Sequence, residues 1–318
     1  MRVLVLGGDG MLGGELVRWL VRDHDVTATV RATAPSCPPP ADRVFTGVDV
    51  RRRDTMVDVF VAARPDAVVN AVSLAGRHAQ AGGELPAIEV NALFPHRLAR
   101  LCRAAGARLV HVSTDRVFSG RLGDYHEEDV PDPVDVHGMT RLLGEVREPG
   151  TLTLRTSVVG LAAAPVASGL VERFLAAKGE VPGPRRVVHS ALTTAEFARF
   201  VHLVLVGHPD LTGIWHLGSE PISQFDLLTM LAERLGRRDV RITPSDGEVR
   251  NRALSARRLR SVTGYRPPGW PVLVDELATA IERRDIEGFR RRRPAPRPGA
   301  TAAPRAALTS PNGVHADA

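Results

Sequence analysis

This chain of 318 residues has two cysteines, two tyrosines and a single lysine. Cys37 and Cys102 show no metal-binding or redox spacing, which fits a reducing cytoplasm. No apolar run approaches the roughly 20 residues of a membrane span, so no membrane partner is expected. The opening Met1-Arg2-Val3-Leu4-Val5-Leu6 is too short for a signal peptide and leads straight into glycines. His189, His202, His208 and His216 form no recognisable ligand pattern, and no metal is expected. With Lys178 as the only lysine, arginine carries nearly all the positive charge.

Hydrophobic content of 43% and charged content of 25% suit a globular enzyme. The net charge of +6 suggests a nucleic-acid partner until its distribution is read. From Arg283 to Ala318 there are eight arginines against Asp285, Glu287 and Asp317, so +5 of the +6 sits there and about +1 elsewhere. A near-neutral protein with a basic tail is the reading, with no nucleic acid as partner. Arg290 to Arg293 reads as solvated tail or as a tether for an anionic partner.

Val3 to Leu6 is a continuous apolar run, as expected of a buried parallel strand. Gly7-Gly8-Asp9-Gly10-Met11-Leu12-Gly13 follows, and then a helical pattern with Leu12, Leu16, Trp19 and Leu20 on one face. Strand, glycine turn and helix together predict dinucleotide binding: glycines let the backbone approach a pyrophosphate, and the helix N-terminus stabilises its charge. Gly7, Gly10, Met11, Leu12 and Gly13 are the contacts expected. A second strand, Asp25 to Val30, ends at Arg31, and an arginine there suits a 2′-phosphate, so NADP is preferred over NAD. Arg31 also reads as a solvated residue in an arginine-rich chain. Ala34 to Pro40 is a proline-rich loop, and Val44 to Val50 the third strand region. Asp49 and Val50 stand where such folds contact adenine, and Ala71, Val72 and Ser73 where the chain passes under a cofactor.

A helix is expected from about Leu85 to Ala105, with Asn91 inside it. Arg108 to Val112 is a strand whose carboxyl end delivers Ser113-Thr114-Asp115, and ligands sit at such ends in open α/β sheets. The fold class is therefore α/β: a doubly wound parallel sheet of Rossmann type with a smaller α/β substrate cap. The dinucleotide-binding domain spans 1–160 with 191–218, and the cap 161–190 with 219–284. A disordered basic tail spans 285–318. Helices are expected near 170–178, 194–207, 223–236 and 272–283, with a short strand at Ile214-Trp215-His216.

Over about residues 1–282 the chain resembles an extended short-chain dehydrogenase of the dTDP-4-dehydrorhamnose reductase branch. The matching pieces include Gly7 to Gly13, Glu89-Val90-Asn91-Ala92, Ser113 to Gly120, Tyr125-His126-Glu127-Glu128-Asp129, Gly138 to Glu145 and, in the cap, Asn251-Arg252-Ala253-Leu254-Ser255. The resemblance implies that Thr114 orients a substrate carbonyl. It also implies a Tyr-x-x-x-Lys element, in which tyrosine donates the proton and lysine binds the nicotinamide ribose. Here that spacing reads His137-Gly138-Met139-Thr140-Arg141.

Histidine can serve as a general acid and arginine can hold a ribose, although a fixed guanidinium nearby depresses an imidazole pKa. Thr114, His137 and Arg141 are the candidate catalytic residues, and Arg141 is also a cofactor contact. Ser113, Asp115, Val117 and Arg252 are the candidate substrate contacts. Arg250, Arg252, Arg257 and Arg258 read either as a grip on a sugar-nucleotide diphosphate or as a solvated helix face. The expected partner is a small molecule, a sugar nucleotide, and a homodimer is compatible with this reading.

Three functions follow as expectations. The first is a cytoplasmic NADPH-dependent reductase of a nucleotide-activated 4-keto sugar. The second is a catalytically silent sugar-nucleotide-binding or regulatory protein. The third is redox-neutral chemistry with His137 as base, such as epimerisation, elimination or cyclisation.

Overall fold

A computed structural model of the chain describes residues 1–35, 38–74, 84–161 and 169–292. Cys37, the Ala75-Gly76 end of the cofactor segment, residues 162–168 of the expected cap and the tail from 293 lie outside the described residues.

The glycine turn is flanked as its sequence requires, by β1 (Arg2–Leu6) and α1 (Met11–Leu20), and β2 (Asp25–Thr29) and β3 (Arg43–Phe45) follow. Then come α2 (Arg53–Ala63), β4 (Ala67–Asn70), α3 (Phe94–Ala105), β5 (Arg108–Val112), α4 (Val136–Leu143), β6 (Thr151–Arg155), α5 (Thr194–Gly207) and β7 (Gly213–His216). The strands form one seven-stranded sheet in the order β7-β6-β5-β4-β1-β2-β3. Every pairing in it is parallel. The chain leaves β1 toward β2 and β3 on one side and toward β4 and β5 on the other, so the crevice between β1 and β4 is the topological switch point.

Alternation along each strand sends side chains to two cores, which makes the sheet doubly wound. Val3 and Val5 pack with Leu12 and Leu16 of α1 and Phe197 and Val201 of α5. Leu4 and Leu6 face the other way, toward Phe60 of α2 and Leu98 of α3. Each such side chain contributes roughly 1.5–3 kcal/mol by leaving water.

Smaller pairings make the cap. Gly179–Pro184 pairs in parallel with Val240–Ser245, and Val187–His189 lies between Ile222–Ser223 and Arg250–Asn251. The helix Arg257–Thr263 packs against β7, and its Leu259 joins the core shared by α1 and α5. Residues 219–284 are therefore divided between cap and sheet. The helix Leu85 to Ala105 is interrupted by a π-helical stretch, Ile88–Leu93, centred on Asn91. Residues Met1–Ala280 form one compact unit. From Ile281 the last helix, Trp270–Arg292, continues to Arg292 where a disordered tail was expected from 285. Among the described residues no helix is long and apolar enough to cross a membrane.

Candidate active site

Close backbone contact builds the glycine turn. Gly7 has φ +82°, and a Cβ on Gly13 would lie 2.0 Å from the Gly7 carbonyl oxygen, so only glycine lets α1 start this close to β1. The Gly8 amide donates to the Thr29 carbonyl (2.8 Å) and the Gly10 amide to the Gly7 carbonyl (2.9 Å). No acidic residue stands in the first turn of α1. The first amides of a helix, here from Met11 to Gly13, have no carbonyl partners within it, and they give this end a positive field that suits a pyrophosphate. The tight glycine turn and the free amides at this helix end thus fit a dinucleotide pyrophosphate.

Arg31 is exposed just past β2, and its backbone amide donates to the Asp9 carboxylate (3.1 Å), tying the turn to the strand end. Asp49 is less available than expected. Arg51 donates to its two oxygens at 2.6–3.1 Å and, with some help from Arg31, holds it below the usual carboxylate range. Val50 and Ala71 are half-buried.

The helix α4 carries the His-x-x-x-Arg spacing. Asp135 caps it, its carboxylate accepting from the Gly138 amide (2.8 Å) and from Arg116 (2.6 Å). A Cβ on Gly138 would lie 2.2 Å from the Arg116 carbonyl, and one on Gly144 1.8 Å from the Asn91 carbonyl. The two glycines clamp the helix between the turn after β5 and the π-helical stretch. Asn91 completes the clamp by bonding both backbone groups of Leu74 (2.9 and 2.8 Å) and the Thr140 hydroxyl (3.1 Å).

One turn apart, His137 and Arg141 share the helix face turned to the segment leaving β4. His137 Nε2 lies 3.4 Å from the Ser73 hydroxyl, and Arg141 Nη1 donates to the Val72 carbonyl (3.3 Å). Burial, then Arg141 and Arg116, push the His137 pKa down to about 4, and its Nδ1 is buried without a partner. Burial also lowers Arg141 to about 10, against the pull of Glu145.

At the end of β5 the three neighbours differ. The Ser113 hydroxyl donates to Glu145 (2.9 Å), which also receives both arms of buried Arg155 (2.8 Å each). Ser113 therefore belongs to the buried network rather than to a ligand. Thr114 is half-buried, accepting from the Arg116 amide (3.2 Å) and lying 3.3 Å from the Asp115 carboxyl. Asp115 is buried, and burial raises its pKa to about 6. Val117 is fully buried against Phe118, Tyr125 and Leu254, a packing position and not a substrate contact.

Arg252 is buried with Nε on the Phe118 carbonyl (2.8 Å), its Nη2 is without a partner, and its charge acts on Asp115 and His137. The flanking Arg250 and Arg257 are engaged by Glu248 and Asp124, and Arg258 lies over the Trp215 ring.

Neither tyrosine replaces the missing phenol. Tyr125 stacks on Phe118 at 4.1 Å, and its oxygen accepts from the Gly120 and Leu122 amides. Tyr265 donates to Glu196 (2.5 Å). Among the described residues no group of three or more possible metal ligands occurs. The sequence reading missed Asp135 and Arg116; an aspartate two residues before His137 was the available N-cap signal.

A family model described as the RmlD substrate binding domain matches residues 1–263. The chain is 34% identical to a dTDP-4-dehydrorhamnose reductase of Burkholderia thailandensis over 164 residues, 50% of each chain. It spans about half the length of the curated relatives it matches. Among solved structures, a dTDP-4-dehydrorhamnose reductase from Bacillus anthracis in complex with NADP superposes with TM-score 0.72 at 18% identity, covering 87% of this chain and 98% of that one. A UDP-glucose 4-epimerase from Thermus thermophilus in complex with NAD gives TM-score 0.72 at 23% identity, covering 89% and 99%. These two likenesses concern the fold.

Proposed function

The chain belongs to the family of the RmlD substrate binding domain, and on that premise we propose that it is a nicotinamide-dependent reductase of a nucleotide-activated 4-keto sugar. The observation that carries this reading is the aim of α4. His137 and Arg141 reach Ser73 and Val72, at the end of the strand that borders the switch point. A dinucleotide whose pyrophosphate lies on the glycine turn runs across that place.

Bound there, a reduced nicotinamide supplies hydride. Gly7, Gly10 and the amides from Met11 to Gly13 cradle the pyrophosphate, and Arg31 grips a 2′-phosphate, which favours NADP. Val50 would line the adenine end, Ala71, Val72 and Ser73 would face the nicotinamide half, and Arg141 would hold its ribose. Thr114 donates to the carbonyl oxygen, and Arg252 offers its free Nη2 to the substrate.

Burial leaves His137 a poor proton donor for such an enzyme at neutral pH. With a pKa near 4, its imidazolium is a strong acid but a rare species at neutral pH. A reductase relying on this histidine alone would be slow at pH 7 and faster as the medium becomes acidic. The same observation favours a second reading, a sugar-nucleotide-binding protein without turnover. As a general base such a histidine is weak, so epimerisation or elimination through it gains no support.

Titration with NADPH against NADH, followed by a single turnover with a dTDP-linked 4-keto sugar, separates the two readings. Tight NADPH binding with substrate-dependent oxidation supports the reductase. Tight binding without oxidation at any pH supports the silent protein.

A further inference from the structure

A ketone reductase needs a proton as well as a hydride, and both tyrosines are committed elsewhere. A buried carboxyl does stand beside the carbonyl-orienting hydroxyl. Asp115 is 8% exposed, its backbone amide is tied to the Thr156 carbonyl (3.1 Å), and its Oδ1 lies 3.3 Å from Thr114 Oγ1.

The bonding capacity of Thr114 then matters. A hydroxyl has one hydrogen and two lone pairs, and the Arg116 amide takes one lone pair at 3.2 Å. An ionised Asp115 can only accept, so it captures the one hydrogen of Thr114 and leaves none for a substrate. A protonated Asp115 donates to the second lone pair instead. Both lone pairs are then occupied, and the Thr114 hydrogen is free for the substrate carbonyl.

We propose that Asp115 in its acid form is the proton source of the reductase, relaying through Thr114 to the carbonyl oxygen. The step rests on the reductase reading above, and it balances. Hydride from the reduced nicotinamide forms the new C–H bond, and the carbonyl π pair moves to oxygen. That oxygen takes the Thr114 hydrogen, and Thr114 takes the Asp115 proton. Nicotinamide leaves oxidised, the ketone leaves as an alcohol, and the Asp115 carboxylate regains its proton from solvent.

The surroundings suit an acid that must let go. Arg252 and Arg250 face Asp115 from the cap segment and Arg116 from its own turn, while Asp135 at the cap of α4 and His137 within it face Arg116 and Arg252. None of these arginines pairs directly with Asp115. Burial therefore prevails and raises the carboxyl to about 6, while the three charges stabilise the carboxylate once the proton has gone.

The test is the pH profile of single-turnover ketone reduction, with NADPH affinity measured alongside. With Asp115 as donor, the wild-type rate levels off below about pH 6 and falls above it. With His137 as donor it would keep rising toward pH 4. Asp115→Asn, which keeps the shape but has no acidic proton, should lose about 100-fold or more of the rate and the pH-dependent limb. His137→Phe should keep that limb, and NADPH affinity should be unchanged in Asp115→Asn.

An asparagine variant with wild-type rate and profile would overturn the proposal, as would transfer of the limb to His137. If the asparagine variant does not fold, Asp115→Glu must shift the limb, and an unmoved limb overturns the proposal. Failure of the reductase reading appears earlier and separately, as a wild-type protein that binds NADPH and never oxidises it.

Discussion

Arg141 reaches from α4 to the carbonyl oxygen of Val72, 3.3 Å away, while almost wholly buried. Charge-assisted hydrogen bonds are worth ~1.5–3 kcal/mol, so Arg141→Ala is expected to weaken NADPH binding about 10- to 100-fold. Arg141→Lys should recover only part of this, because an ammonium lacks the planar fork. A fluorescence titration of NADPH against each variant checks both expectations.

Ser113 gives an opposite expectation. Its hydroxyl is spent on Glu145, which keeps both bonds to Arg155 when the serine is removed. Ser113→Ala should leave the KM for a sugar nucleotide unchanged and cost about 1 kcal/mol of stability. A raised KM with an unchanged Tm would return Ser113 to the substrate site.

The clamp on α4 is testable through glycines. Gly138→Ala and Gly144→Ala force a methyl into backbone carbonyls at 2.2 and 1.8 Å, and each should cost about 1–3 kcal/mol or more. Gly207→Ala, with nothing within 4 Å of the added carbon, should be close to neutral. Urea unfolding of the three variants ranks them, and equal losses would contradict the clamp.

Acid should destabilise the fold. His137 and His189 are pushed down to about 4 and His216 to about 3, in each case by burial first. Burial also lowers His24 and His111. A folded pKa below the unfolded ~6.5 means that the unfolded chain binds more protons between the two values, so stability rises with pH there. It is fully present above ~6.5 and is lost as pH falls toward 4. Tm measured from pH 7.5 to 4.5 should drop, and His137→Gln should flatten part of that slope. A Tm constant over this range would contradict the burial of these rings.

The legible parts of this fold were the local ones. A continuous apolar run into glycines and then a 3.6-residue pattern fixes strand, turn and helix within twenty residues, and β1–α1 follows it. Four-residue spacing alone puts His137 and Arg141 on one helix face. What escaped depends on distant partners. Ser113 looked like a ligand because its acceptor lies 32 residues away, and Val117 because Tyr125 and Leu254 cover it. The division of 219–284 between cap and sheet escaped for the same reason, since Leu259 finds its core beside α1 and α5. The π-helical stretch at Asn91 has no periodicity of its own to betray it.

The most direct measurement is single-turnover oxidation of enzyme-bound NADPH by a dTDP-linked 4-keto sugar. The expected result is a loss of reduced-nicotinamide absorbance equal to the bound cofactor, faster at pH 6 than at pH 8, and abolished without the sugar nucleotide. Tight NADPH binding with no oxidation between pH 5 and 8 would contradict the reductase and leave a binding protein in its place.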